Sequence, residues 1–596
     1  MKDRLEKWIA TATNEATELQ RAADRSSNWR LFSILLGIGG GGWLWWSGLH
    51  EIGWLAACSA GLTFILLVRM HRRQLLAWRR IQCGITLQQR LAARLNNAWM
   101  AFPDDGTEFM AAKHPYSNDL DLFGPKSLFQ WLNATSTYYG RQRLKDRLAY
   151  PEKNAQLIRA RQNAIRELSG KETFCHEFSC DGLLFAGAHD PEEWLQSIDG
   201  KPSLWGCYAR TFFYFLPFIT LVCAMLAVFE QKSAATLLSL CVLAQCAVTL
   251  FTAKKNSSLL LTVHRFRAAI KGYEKMIRRI EAEPFAADEL LRLQSLFRRS
   301  EGTASGAIQK LDRILEAADL RYNSISYVLL NFTLLWDCHC TLALQRWNLQ
   351  HGEAVRAWLE GIGELEVLIS QANIARIQPR WTFPQIREDG PAIEGEALGH
   401  PLINSVQRIC NDVSLSQGVC VITGSNMSGK TTWLRTIGVN LVLAYAGSPV
   451  CATRFACSMI DLWTSMRLQD ELGSGISTFY AELLRIKDII EHAKKKRDMI
   501  FLIDEIFRGT NSHDRIQGAV SVLKSLQKSW LIGLISTHDL ELCQLEREEG
   551  IQAVNYHFRE EYRDGEILFD YKMREGSCNS SNAKQLMKMV GIEISA

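Results

Sequence analysis

No two of the sixteen cysteines stand in CxxC spacing, which suits reduced thiols in a cytosolic compartment and argues against a disulfide framework. Cys338-His339-Cys340 comes nearest to a ligand cluster. Adjacent helical positions point in different directions, however, and no second ligand pair follows at a zinc spacing, so ordinary packing is expected there. The N-terminus lacks the short apolar core and cleavage site of a signal peptide. A large charge of either sign is missing too. A net charge of +5 over 596 residues permits a nucleic-acid or membrane-surface partner without requiring one. With 47% hydrophobic and 22% charged residues the chain is not disordered, and its length implies more than one domain.

The densest signal is Val419 to Asn440. An apolar strand, Val419 to Ile422, runs into Gly424-Ser425-Asn426-Met427-Ser428-Gly429-Lys430-Thr431-Thr432, and a helical pattern follows. This is GxxxxGK[ST] in its required strand–loop–helix setting. Gly424 and Gly429 let the backbone bend so that its N–H groups converge on phosphate oxygens, with the positive end of a helix dipole behind them. Lys430 can reach the β- and γ-phosphates and the Thr431 hydroxyl can hold Mg²⁺, so a nucleoside triphosphate, ATP, is the expected ligand. A second buried-strand run, Met499 to Ile503, ends in Asp504-Glu505, a carboxylate pair placed beside the phosphate loop by a parallel sheet. Asp504 is expected to hold Mg²⁺, directly or through water, and Glu505 to polarise the attacking water. A third strand, Leu531 to Ile535, leads to Ser536-Thr537-His538-Asp539, where His538 can sense the γ-phosphate.

Four uncharged apolar runs precede this region: Leu31 to Leu49, Ile52 to Val68, Thr211 to Phe229 and Ala234 to Ala253. Each is about long enough to cross the ~30 Å hydrocarbon core as a helix. Trp43, Trp45, Trp46 and Trp54 resemble an interfacial aromatic belt, while Gly39 to Gly42 weaken the first run as an isolated helix. Arg30, Arg69, Arg72, Arg73, Arg79 and Arg80 flank the first pair of runs, and Arg210, Lys254 and Lys255 flank the second. The two short turns carry only Lys232. Two hairpins entering a cytoplasmic membrane from the cytoplasm are therefore expected, with the remaining chain on the side where ATP is found. Between and after them the chain reads as helical. Leu128, Leu132, Leu144 and Leu148 recur at helical spacing, punctuated by Gly124-Pro125 and Gly140. Lys271, Lys275, Arg278, Arg279, Arg298 and Arg299 make a later helical segment basic, which suits either nucleic-acid phosphate or anionic lipid.

The motifs TGSNMSGKTTWLRTIG, LIDEIFRGTN and STHD, Gly475-Ile-Ser477-Thr478-Phe479 before a helix, Gly399-His400-Pro401-Leu402, and the segment LFQWLNATSTYYGRQRLKDRL together resemble the MutS family. The resemblance covers roughly residues 115–200 and 256–590. It implies ATP hydrolysis with Mg²⁺ in a head-to-tail homodimer, with Ser477 approaching the γ-phosphate bound by the partner subunit and Arg508-Gly509-Thr510-Asn511 crossing the interface. It also implies DNA as a partner. Mismatch-reading members carry an N-terminal domain with a Phe-x-Glu wedge, whereas here the N-terminal part is apolar hairpin. Phe558-Arg559-Glu560 falls in the ATPase region, no separate clamp domain is visible, and the chain ends at Ala596 with no room for a nuclease module.

The expected fold class is α plus α/β. Its parts are an amphipathic segment 1–30, a transmembrane hairpin 31–69, a MutS-core-like helical region 70–204, a second hairpin 205–253, a helical lever region 254–375, a linker 376–398 and a P-loop ATPase domain 399–596. A membrane-anchored, ATP-dependent DNA clamp is the reading. The alternatives are a protein-binding switch with an unknown protein partner, and a transporter-like ATPase. The absence of charge inside the four runs argues against a translocation path.

Overall fold

The computed structural model describes residues 1–186, 190–198, 206–229, 232–299, 302–425, 427–467, 478–507, 512–548, 550–563 and 566–577. Long helices come first. α1 (Lys2–Trp46) and α2 (His50–Leu95) lie antiparallel and run unbroken through the boundaries expected at 30 and 69. Small residues set their close approach: a Cβ on Gly37 would stand 2.6 Å from Ala60 Cβ, and one on Gly53 3.2 Å from Gly41 O.

The Leu128 to Leu148 stretch is two helices, α3 (Leu128–Leu132) and α4 (Tyr138–Ala149). The chain turns between them because Thr137 Oγ1 accepts the Gly140 N–H at 3.1 Å and the buried Glu366 carboxylate accepts the N–H groups of Ser136 and Thr137 at 2.9 and 3.2 Å. There follow α5 (Ala155–Gly170), α6 (Glu172–Asp181) and α7 (Glu192–Ile198). Next come α8 (Cys207–Val228), α9 (Lys232–Arg265), α10 (Arg267–Ala282) and α11 (Asp288–Phe297). A two-rung ribbon of β1 (Arg298–Arg299) and β2 (Gly302–Thr303) leads to α12 (Ala304–Ala318), α13 (Ser324–Leu334) and α14 (Trp336–Ile377).

Among the described residues three helices are apolar enough by length and composition to cross a membrane: α2, α8 and α9, or up to four if α13 and α14 form one broken span. The first expected run, Leu31 to Leu49, is not among them. Its helix ends at Trp46, and four consecutive glycines and three tryptophans dilute its apolar content.

The positive charge of α10 is largely consumed inside the protein. Ile270, Tyr273, Met276, Ile277 and Ile280 bury one face of the helix. Arg279 pairs with Glu177 and Asp181, Arg278 with Glu274, and Lys271 with Asp312 at 3.6 Å, while Lys275 lies 4.1 Å over the Phe185 ring.

α14 spans about 63 Å at 1.5 Å per residue. One end packs against α8 and α9 through Leu335, Cys338 and Leu342. The other is buried between α4 and the C-terminal region. There Gly363 allows backbone contact, since a Cβ would stand 2.6 Å from Tyr139 C, and Gln371 Nε2 donates to Ala446 O at 2.9 Å.

The C-terminal region carries two mixed sheets. One contains β3 (Gln385–Arg387), β4 (Ile393–Leu398), β5 (Asn411–Leu415) and β7 (Arg454–Ser458), in the order β3-β7-β4-β5. The stretch 376–398, expected to be a linker, thus supplies two strands. Ile386 is buried at the centre of β3, and in β4 Ile393 and Gly395 alternate with more exposed residues before a bulge brings Leu398 inward, which commits the stretch to a sheet despite its prolines and glycines. The other sheet contains β6 (Gly418–Thr423), β8 (Asp461–Ser465), β9 (Met499–Asp504), β10 (Leu531–Thr537), β11 (Ala553–Arg563) and β12 (Glu566–Glu575). Its order is β12-β11-β6-β10-β9-β8, parallel throughout except for β12. Ile500 and Leu502 face α15 (Lys430–Tyr445), whereas Phe501 and Ile503 face α16 (Thr478–Ala493) and α17 (Ser512–Ser525). This double cover explains the unbroken apolar runs of these strands.

Candidate functional site

The C-terminal ends of β6, β9 and β10 meet at one edge of the six-stranded sheet, where parallel sheets place their ligands. Gly424 (φ 149°) and Gly429 (φ 104°) bend the loop that follows β6. A Cβ on Gly424 would stand 2.8 Å from Ser428 Oγ and 3.0 Å from Phe558 O, and one on Gly429 3.1 Å from the Tyr571 ring. Both positions therefore exclude a side chain by conformation and by space. α15 begins at Lys430.

Lys430 is nearly buried, and its Nζ donates to Gly424 O and Ser425 O at 2.9 Å each. Thr431 Oγ1 donates to Asp504 Oδ2 at 2.7 Å, and the Ser536 hydroxyl donates to the other oxygen of Asp504. Glu505 follows in the left-handed region (φ 54°), with its N–H bonded to Ser536 O at 3.0 Å. A glutamate held in this conformation marks backbone strain at the site. His538 Nε2 lies 2.9 Å from Glu505 Oε1 and 3.4 Å from Lys430 Nζ; with its proton on that nitrogen it donates to Glu505, and without it the nitrogen can accept from Lys430. Asp539 next to it is clamped by Arg515 through two bonds of 2.7 Å.

A cavity of about 960 Å³ opens from this edge. Met427, Ser428, Gly429, Lys430, Thr431, Thr432 and Glu505 give it polar walls, and Ile403, Ile409, Phe569 and Tyr571 add apolar surface, with Tyr571 against Gly429. His400 stands on the wall, with its Nδ1 accepting the Leu402 N–H at 3.3 Å. Desolvation, and then the charges of Arg435 and Arg408, hold its pKa down at about 4, so it presents a neutral ring at pH 7.

The structure thus brings together Gly424, Ser425, Met427, Ser428, Gly429, Lys430, Thr431, Thr432, Asp504, Glu505 and His538. Asn426, Ser477 and the loop 508–511 lie outside the described residues. Thr478 opens α16, and Phe479 packs edge-on against Phe507.

Phe558-Arg559-Glu560 sits on β11 behind the phosphate loop. Phe558 is buried against Gly424, and Glu560 accepts the Ser425 hydroxyl. Several site residues escape sequence reasoning: Ser536, Glu560, Ile409, Tyr571 and the pair Asp119 and Asp121. Asp119 accepts from Thr464 Oγ1 at 2.6 Å and from Arg467 N at 3.0 Å, while Asp121 pairs with Arg435 at 3.0 Å. Only Ser536 had a usable signal, since it stands at a strand end beside His538. Glu560, Ile409 and Tyr571 reach the site from sequence-remote segments, and Asp119 and Asp121 tie the helical region to β8 and α15.

The residues fit a bound nucleotide and its metal. Ser428 Oγ is buried with no protein partner among the described residues, and the two glycines leave a cradle a Cβ would fill. No group of three His, Cys, Asp or Glu side chains suited to a metal exists among the described residues. Thr431 with Asp504 is instead the sparse oxygen pair that Mg²⁺ takes when phosphates complete its shell.

Residues 420–595 match the family model of MutS domain V. The chain is 29% identical over 313 residues to the DNA mismatch repair protein MutS of Aquifex pyrophilus, covering 51% of this chain and 34% of that protein. It is 32% identical over 239 residues to the DNA mismatch repair protein MutS of Persephonella marina, covering 39% and 27%. Against the protein of the same name from Lysinibacillus sphaericus it is 34% identical over 235 residues, covering 38% and 27%. The chain spans about a third of the length of the curated relatives it matches.

Proposed function

We propose that the chain, whose residues 420–595 match MutS domain V, is a membrane-anchored member of the MutS family that hydrolyses ATP in a head-to-tail homodimer. The observation that carries this reading is the convergence of Lys430, the Thr431–Asp504 pair and the Glu505–His538 pair at one mouth of the 960 Å³ cavity.

The loop N–H groups and Lys430 bind the phosphates, exchanging the carbonyls of Gly424 and Ser425 for phosphate oxygens. Thr431 and Asp504 hold Mg²⁺, which when bound neutralises and orients the terminal phosphates. Ser536 fixes the Asp504 carboxylate so that its other oxygen faces Thr431. Glu505 orients the attacking water, and His538, donating its Nε2 proton to Glu505, holds that carboxylate in place beside Lys430. Ser477 of the partner subunit completes the site.

Tyr571 and Ile409 supply apolar surface in the cavity, on which a base can stack. Tyr571→Ala is expected to weaken ATP binding about tenfold, within the ~1–3 kcal/mol of a base–aromatic stack. Competition by inorganic tripolyphosphate should be unchanged. Equal losses for both ligands would show that Tyr571 supports the phosphate loop and not the base.

Membrane anchoring rests on the exposed apolar faces of α2, α8 and α9 and on the basic residues flanking them. On this reading α1 and α2 form the first hairpin and α8 and α9 the second, both dipping into the cytoplasmic membrane from the cytoplasm.

α14 joins the second hairpin to the nucleotide domain, so closure of the dimer on ATP and opening after hydrolysis move the helical levers. The relatives are named for DNA mismatch repair, so duplex or branched DNA is the first candidate for what those levers grip. The internal pairing of Lys271, Arg278 and Arg279 favours a second reading, a membrane-bound switch for a protein partner.

ATP turnover of the full-length protein in nanodiscs, alone and with homoduplex, mismatched and branched DNA, separates the two. Stimulation by one DNA form that fades steeply with salt supports the clamp. A flat response with normal basal turnover transfers the motor to the protein switch, and no turnover under any condition removes the ATPase reading.

A further inference from the structure

We infer that α13 is a membrane foot: a short helix inserted in the bilayer leaflet on the nucleotide-domain side, through which α14 stands directly on lipid. This rests on the reading that α8 and α9 span a membrane. It adds an element outside the four apolar runs of the sequence.

Residues 322–336 carry no charge, and within them α13 is only 11 residues long. At 1.5 Å per residue that is about 16 Å, half of the ~30 Å hydrocarbon core and too short to cross it. One face of α13 is covered by α9. The other presents Ile325, Val328 and Leu329, exposed by 80, 50 and 62%. Their i, i+3, i+4 spacing makes a continuous apolar stripe. A soluble protein rarely leaves such a stripe uncovered beside two other exposed apolar helices. On α8 the residues Phe215, Phe218 and Leu221, and on α9 Leu243, Leu250 and Phe251, are bared in the same way, so the stripe extends an apolar band.

The break between α13 and α14 is built to survive in a lipid setting. The two helices meet at 80°, and Leu335 between them is left-handed (φ 50°) yet fully buried. Irregular backbone at membrane depth is tolerated only where protein covers it and its polar groups find partners. Here the Asn331 carbonyl accepts both the Leu335 N–H at 3.2 Å and the Thr249 hydroxyl of α9 at 3.1 Å. The Asn331 side chain accepts the Asp337 N–H at 2.9 Å, and Leu335 O accepts the Cys338 N–H at 3.0 Å. At the entry to α13, Asn323 accepts the N–H groups of Ile325 and Ser326 at 3.1 Å each. Arg321 there reaches Ser257 Oγ at 2.6 Å and Asp337 at 3.5 Å, which puts the first charges at the level where headgroups begin.

The test uses the full-length protein in phospholipid nanodiscs, with the photoreactive residue p-benzoylphenylalanine placed singly at Ile325, Leu329, Leu221 on α8, or Leu349 on α14. All four side chains are exposed, so folding is not at stake. After illumination, mass spectrometry counts adducts of one phospholipid. Adducts at Ile325 and Leu329 comparable with Leu221, and about tenfold above Leu349, are the expected result for a side chain in hydrocarbon. Adducts at Leu221 with none at Ile325 and Leu329 would overturn the foot while leaving the hairpin in the membrane. Crosslinks from Ile325 or Leu329 to a second copy of the chain would overturn it too, by giving the stripe a protein cover. No lipid adduct at any position would remove the membrane reading itself, and the foot with it.

Discussion

Replacing Lys430 with alanine abolishes ATP binding, an expected loss of at least about a hundredfold in affinity. A charge-assisted bond to phosphate in a nearly buried setting carries roughly 1.5–3 kcal/mol, and the loop cradle loses the cation that reaches into it as well. The structure adds a second term. Nζ bridges Gly424 O and Ser425 O at 2.9 Å each, so the ammonium also shapes the loop before any nucleotide arrives. Alanine removes both roles, and the two carbonyls lose their shared donor. Lys430→Met separates them by keeping the stem without the charge. Fluorescent-nucleotide titration with both variants is the measurement, alongside thermal melting without nucleotide. Binding lost in both, with melting near that of the unmodified protein, assigns the loss to the charge. Binding retained by either variant at its original affinity contradicts the phosphate-loop reading.

Changing Glu505 to glutamine has the opposite signature: nucleotide stays bound and turnover stops. Gln keeps the size of the side chain and an oxygen that can meet His538, and it is no worse suited than Glu to the left-handed backbone at this position (φ 54°). It removes the negative charge that polarises water, for which a loss of about 10²–10⁴ in turnover is the usual cost. With hydrolysis blocked, the ATP-bound head-to-tail dimer accumulates. Gel filtration in detergent with ATP should then move the Glu505→Gln protein to twice the protomer mass, while Lys430→Ala remains at the lower mass. A Glu505→Gln protein that stays monomeric under saturating ATP would sink the composite site. One that turns over normally would remove Glu505 from the chemistry.

The two variants act on one chain of contacts, because His538 Nε2 stands 2.9 Å from Glu505 and 3.4 Å from Lys430. Their effects on turnover should therefore not add: the double variant should be no slower than Lys430→Ala alone.

The similarity to MutS domain V over residues 420–595 does not carry over the reading of mismatches. The chain's Phe-x-Glu is a structural part of the phosphate loop, with Phe558 packed on Gly424 and Glu560 holding Ser425. A basic helix that suggests phosphate contact from its sequence spends its charges on Glu177, Asp181, Glu274 and Asp312. Both outcomes have the same cause. A charged or aromatic residue in a sequence is an offer of an interaction, and which partner accepts it depends largely on other segments of the chain, as Asp312 facing Lys271 and Glu560 facing Ser425 show.

What the sequence by itself determined is whatever short-range geometry enforces. Two glycines at fixed spacing between an apolar strand and a helix admit one kind of loop, because positive φ and close backbone approach tolerate little else there. Runs such as Met499 to Ile503 had to be strands covered on both faces, and their ends had to deliver Asp504 and Glu505 to the loop. Long uncharged runs announced the apolar helices α2, α8 and α9. The tertiary structure decided the rest. It made a sheet of the supposed linker at 376–398 and set Tyr571 over Gly429. It tied Asp119 and Asp121 to the nucleotide domain and folded α13 back at Leu335 against α9. Each of these is a contact between segments distant in sequence. Its free energy exists only once packing has met the entropic cost of bringing those segments together, and no local pattern of residues encodes that.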